Sequence, residues 1–86
     1  MTVPADETLD ATGLRCPMPV IRMEALLRQL PPGARLKVIA DDPVAAVDIP
    51  LYARQAGHAA ERLAAEEASA GGICVFLVTR CGNPGE

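Results

Sequence analysis

Three thiols, Cys16, Cys74 and Cys81, and a single imidazole, His58, are the side chains of this 86-residue chain best suited to covalent chemistry. Cys16 lies in the run Gly13-Leu14-Arg15-Cys16-Pro17-Met18-Pro19-Val20, where a turn hands over to a helix. Proline is favoured at the first helical position, because its φ is already helical and its missing N–H has no partner there anyway. With Cys16 as N-cap and Pro17 as first helical residue, the sulfur meets free backbone amides. Pro17 and Pro19 remove two of those donors and leave the N–H groups of Met18 and Val20. A helix N-terminus favours anions, and cysteines so placed ionise below the usual value of about 8.5. Arg15 adds positive charge beside it. The pattern predicts a reactive thiolate at Cys16. The plainer alternative is a buried cysteine acting as a small hydrophobe; the glycine turn, the paired prolines and the arginine weigh against it.

The remaining candidates read differently. Cys74 alternates within an apolar run and is expected in the core. Cys81, beside Gly82, is expected to be exposed, which raises the hypothesis that it forms an internal disulfide with Cys16. His58 follows Gly57 and has no paired acid, so it reads as the start of a strand more than as a catalytic base. The cysteines are odd in number, lack zinc-site spacing and contain no Cys-x-x-Cys pair, which argues against a metal site and a dithiol redox protein. Free thiols fit a reduced, cytoplasmic setting.

Composition narrows the classes further. Eighty-six residues make one domain, spanning 1–86 with a core of about 8–80. A chain this short buries only about three-fifths of its unfolded surface. Half the residues are apolar, yet Tyr52 and Phe76 are the only aromatics, so the core must be aliphatic. A net charge of −3 argues against direct nucleic-acid binding, which needs a basic footprint. Arg15, Arg22 and Arg28 could still form a local patch for an acidic partner. Residues 1–8 carry two acids and no apolar core, unlike a signal peptide, and no apolar run approaches membrane-spanning length.

The elements that must position Cys16 follow from pattern. Residues 7–11 read as a short strand before the Thr12-Gly13 turn. A helix over about 17–30 carries Val20, Met23, Leu26, Leu27 and Leu30 on one face. Arg22, Glu24, Arg28 and Gln29 lie away from that face, and so does Ile21, an exposed apolar candidate near Cys16. Pro31-Pro32-Gly33 stops the helix. Residues 36–40 form a clear strand. Asp42 with Pro43 reads as one helix start and Asp48-Ile49-Pro50 as a second, because Pro50 damages a helix interior. A short turn and then a helix from about 49 to 56 are expected, ended by Gly57. Propensity alone makes 58–70 helical. Residues 73–79 are a strong strand introduced by Gly71-Gly72.

Taken together, Leu9-Asp10, Gly13 to Pro19, Asp41-Asp42-Pro43, Asp48-Ile49-Pro50 and Gly57-His58 resemble, in order and spacing, the TusA/SirA family of sulfur carriers. The similarity runs from about Leu9 to Arg80. The resemblance implies an α/β two-layer sandwich, β-α-β-α-β-β, with two helices on one face of a four-stranded mixed sheet. It turns residues 59–68 into a strand, with Leu63, Ala65 and Glu67 on one face. It also implies that Cys16 accepts sulfane sulfur as a persulfide from a cysteine desulfurase or rhodanese-like donor and relays it to an acceptor protein. No metal or organic cofactor is then needed, and the carrier is expected to be a monomer. Cys16 should be exposed, and Arg15, Pro17, Met18, Pro19, Asp10 and Asp48 are motif or docking positions. Asp10 and Asp48 read equally well as a turn residue and a helix cap. Met18 stands where family members sometimes carry an acid, which bears on partner choice. The sequence does not choose among tRNA thiolation, molybdenum-cofactor supply, sulfur oxidation and selenium handling. The alternative is a docking or regulatory module that uses the same Cys-Pro-x-Pro surface without moving sulfur.

Overall fold

The structure is a computed structural model that describes residues 5–63 and 72–81. In chain order the elements are β1 (Glu7–Asp10), α1 (Met18–Gln29), β2 (Arg35–Ala40), α2 (Ala45–Gln55), β3 (Ala59–Arg62) and β4 (Cys74–Thr79). The sheet order is β1-β2-β4-β3. β1 runs parallel to β2, and β4 runs antiparallel to both β2 and β3. This is the mixed four-stranded sheet with two helices that the family resemblance implied.

Alternation decides which strand residues meet the helices. Leu9, Leu36, Val38, Ala40, Cys74, Phe76 and Val78 share a buried cluster with Val20, Met23 and Leu27 of α1 and Ala45, Ile49 and Ala53 of α2. Val75, Leu77 and Leu63 form a second cluster on the other set of sheet positions. The two sets follow from the period of two along each strand. Val20, Met23 and Leu27 are the expected α1 stripe, with Leu26 and Leu30 packed at its margin. Gly33, at φ +84°, turns the chain after α1. The Arg80 guanidinium then donates to the Leu30 carbonyl at 2.7 Å and ties that end down.

One expectation about the elements needs correction. The helix start at Asp48 does not exist: α2 runs unbroken from Ala45 to Gln55 with Pro50 inside it. Proline there cannot donate to Ala46, so one helical bond is forfeited. Burial of Ala45, Ile49 and Ala53 at a spacing of four holds the helix to the sheet regardless. Its C-terminus is as expected, since Gly57 sits at φ +89°. The His58 amide reaches the Ala53 carbonyl and the Gly57 amide that of Arg54, a Schellman pair. After Gly57 the family resemblance set a strand over 59–68 against helical propensity, and the described part of that stretch is a strand. Residues 59–62 are a strand paired with β4, and the Leu63 amide extends the pairing to the Val75 carbonyl at 2.8 Å. Sheet pairing overrides propensity here. Ala65 and Glu67 lie outside the described residues.

Candidate functional site

Because β1 and β2 are parallel, their C-terminal ends lie together, and both helices start from that edge. The loop after β1 is stitched to the loop after β2 by two carboxylates. Asp41 accepts the Gly13 amide at 2.9 Å, and Asp42 accepts the Cys16 amide at 2.7 Å. The other oxygen of Asp42 accepts the Val44 amide at 3.3 Å, so one carboxylate, 7% exposed, braces both loops. The Asp42 carbonyl also accepts the Ala46 amide. Sequence reading took Asp42 for a helix cap only. Its place in Asp-Asp-Pro directly after a strand was the available signal for this wider role.

Cys16 is exposed at this junction, as expected, and the Cys16–Pro17 peptide bond is cis. The N-cap is Pro17, one residue later than the spacing suggested. Of the two amides expected to face the sulfur, that of Met18 is taken by the Arg15 carbonyl at 2.8 Å. The thiol instead donates to Asp48 Oδ2 at 2.9 Å. That contact reverses the expected direction of ionisation. The hydrogen bond to Asp48 pushes the Cys16 thiol up, followed by partial withdrawal from water and by the negative charges of Asp48 and Asp42. A full charge in contact with the sulfur outweighs a helix end worth about half a charge spread over several amides.

The remaining expected positions separate. Asp10 is a turn residue: its Oδ1 accepts both the amide and the hydroxyl of Thr12, which hold the carboxyl below its usual range. Asp48 caps no helix; it projects from the first turn of α2 onto the sulfur. Arg15, Pro17 and Met18 are exposed around Cys16, while Pro19 is buried. Arg15, Arg22 and Arg28 do not form one patch. Arg28 is in the last turn of α1, and Arg22 and Arg28 lie about 120° apart around the helix.

An apolar rim is the feature that sequence reading found only in part. Ile21 is 50% exposed as expected, with Met18 beside it in the first turn of α1. Val44, Val47, Leu51 and Tyr52 of α2 and its lead-in are also exposed, Val47 at 66%. Two apolar rows on α2, Ala45-Ile49-Ala53 buried and Val44-Val47-Leu51 exposed, were the missed signal, since a helix that packs on one side needs only one. Exposed apolar residues gathered at one place mark interaction surfaces.

The opposite end of the sandwich holds His58 and Cys81. A cavity of about 250 Å³ there is lined by Glu24, Leu27, Arg28, Ala56, His58 and Arg80, with no part taken by Cys16. His58 Nδ1 accepts the Cys81 amide at 3.0 Å, which fits a strand-start role. Burial, and then the Arg80 charge, hold its imidazole below the usual range. Cys81 is half-buried, not exposed, and Cys74 is buried with its Sγ near the Ala40 carbonyl at 3.4 Å. No group of metal-ligating side chains occurs among the described residues. No helix among them is long and apolar enough to cross a membrane.

The chain as a whole has relatives among known proteins. The family model described as Sulfurtransferase TusA matches residues 7–80. The chain belongs to the TusA family. Within it, the chain is similar to the sulfur carrier protein TusA of Pseudomonas fluorescens (strain SBW25). The two are 56% identical over 50 residues, which span 58% of this chain and 60% of that protein. Similarity to the sulfur carrier protein TusA of Pseudomonas paraeruginosa is 52% over 58 residues, covering 67% of this chain and 73% of that one. Among solved structures, the SirA-like protein of Desulfitobacterium hafniense superimposes with a TM-score of 0.74 at 26% identity. That match covers 87% of this chain and 97% of the other. Membership of the TusA family supports a sulfur-carrier role.

Proposed function

We propose that this chain is a TusA-type carrier in which Cys16 accepts sulfane sulfur as a persulfide and passes it to a second protein. The observation that carries the reading is the placement of Cys16: an exposed thiol at the shared edge of two helix starts, both of which carry exposed apolar side chains. Two partners must reach one sulfur in turn, so a surface thiol suits the task better than one inside the cavity at the far end. The transfer is redox-neutral. Cys16 sulfur attacks the outer sulfur of the donor persulfide, a new S–S bond forms as the donor's own S–S bond breaks, and the donor leaves as a thiolate that takes up a proton. The donor is a cysteine desulfurase or a rhodanese-like protein, and the recipient is another protein; the carrier acts as a monomer through this half-reaction of sulfurtransferase chemistry. The reading extends to the chain as a single domain in a reducing cytoplasm.

The test is an intact mass of the reduced protein after incubation with a cysteine desulfurase and cysteine, with peptide mapping. One added sulfur on Cys16 is expected, reversed by reductant and absent in Cys16→Ala. If neither that donor nor a rhodanese with thiosulfate loads Cys16, the carrier reading fails and the apolar rim belongs to a docking module.

A further inference from the structure

Asp48 is half-buried in the first turn of α2, and the Cys16 thiol is its side-chain hydrogen-bond partner. Among the described residues no cation pairs with this carboxylate. The other charged groups near the thiol come from each neighbouring element in turn. Asp42, from the loop before α2, adds a second negative charge, but its oxygens are occupied by the Cys16 and Val44 amides. Asp41 is held by the Gly13 amide, and Asp10 of β1 is held by Thr12. The first turn of α1 carries no acid. Arg15, next in sequence, is exposed and makes no ion pair with either carboxylate.

This arrangement suits storage of a thiol better than attack by a thiolate. A carboxylate touching the sulfur favours S–H over S⁻, and only the thiolate is nucleophilic. The same charge opposes the anionic terminal sulfur of a loaded persulfide. Both steps therefore ask for a positive charge against the Asp48 carboxylate, which no described residue supplies.

We propose that Asp48 holds Cys16 as a resting thiol, and that a cationic side chain of the docking sulfur donor pairs with Asp48 and frees the thiolate for attack. The thiol proton leaves to bulk water, so no oxidant or further reactant enters the step. The partner surface is apolar with an arginine or lysine at its centre. Apolar groups cover Met18, Ile21, Val44, Val47 and Leu51, and their cover excludes water from the new ion pair and strengthens it. This rests on the sulfur-carrier reading for the identity of the partner.

The test uses the reduced full-length chain in two arms. In the first, iodoacetamide labelling of Cys16, followed by peptide mass, is measured from about pH 6 to about pH 10, a range spanning the ordinary thiol value. The wild-type rise is centred above that value. Asp48→Asn keeps the shape and removes the charge, so the rise moves to lower pH and the rate at neutral pH increases roughly threefold or more. Asp48→Ala gives the same direction and serves if the first variant misfolds. In the second arm, both proteins carry Cys16→Ala, and affinity is measured for whichever donor, desulfurase or rhodanese, loads the wild type. Loss of the charge is expected to weaken binding about tenfold. A labelling profile unmoved by both variants overturns the lock. A moved profile with unchanged donor affinity overturns release by a partner cation. Neither arm depends on sulfur reaching the variant, so failure of the carrier reading, seen as no loading of wild type, is read separately.

Discussion

At the scale of single residues the site is a bargain between carboxylates and one sulfur. Asp48 touches the sulfur, while Asp42 holds the backbone that presents it. Buried and bonded to two amides of different loops, Asp42 does structural work. Asp42→Ala leaves the Cys16 and Val44 amides without their acceptor. Hydrogen bonds to a charged group are worth about 1.5–3 kcal/mol, so a loss of about 2 kcal/mol is expected. In a domain of this size that lowers Tm by roughly 8–16 °C, which a thermal melt reads directly. Asp42→Asn keeps an acceptor and should lose less. Cys16 itself was legible in the sequence, because glycine turn, cysteine and prolines form a local pattern. Its protonation was not legible. The groups that set it come from α2 and the loop before it, 32 and 26 residues away in sequence, and only the parallel pairing of β1 and β2 brings them to the sulfur. Local sequence spoke for the helix end, and tertiary structure placed a full negative charge against it.

Among the elements, α2 shows how far a local rule reaches. Pro50 argued for a helix beginning near residue 49, and the helix begins at Ala45. Pro50→Ala tests the account given for this. An interior proline costs about 3 kcal/mol relative to alanine. Against that gain stand about 1 kcal/mol of unfolded-chain entropy restored by removing the ring and about 1 kcal/mol of ring burial lost. A net stabilisation of about 1 kcal/mol is expected, seen as a higher urea midpoint with unchanged slope. A lower midpoint would mean that Pro50 is matched to α2 by packing that its half-buried position does not reveal. The elements whose signals are strong and local, α1 with its stripe, β2 and β4, were legible. β3 was not legible from its own residues, since Ala-Ala-Glu-Arg prefers a helix and becomes a strand only because β4 offers an edge.

Across the whole molecule, chemistry is segregated by the length of the sheet. Cys16 lies beyond the end of the ladder where Ala40 pairs with Cys74, and Cys81 follows the end where Arg35 pairs with Thr79. Five steps of about 3.3 Å each put roughly 17 Å between those ends, far more than the roughly 7 Å limit between Cα atoms that a disulfide spans. The internal Cys16–Cys81 bond that sequence alone allowed is therefore corrected by topology. Cys81 is held at its own end, with its amide on His58. Mild oxidation of the protein should give no Cys16–Cys81 link within a monomer. Any disulfide formed joins two copies through Cys16, runs as a dimer on a non-reducing gel, and vanishes in Cys16→Ala. A monomeric Cys16–Cys81 product would mean that the β4 end leaves the sheet to reach the opposite pole. The consequence for a carrier is direct: with Cys74 buried and Cys81 a sheet-length away, no described thiol of the same molecule can resolve a persulfide on Cys16. On the proposed reading, sulfur loaded on Cys16 stays there until a second protein takes it.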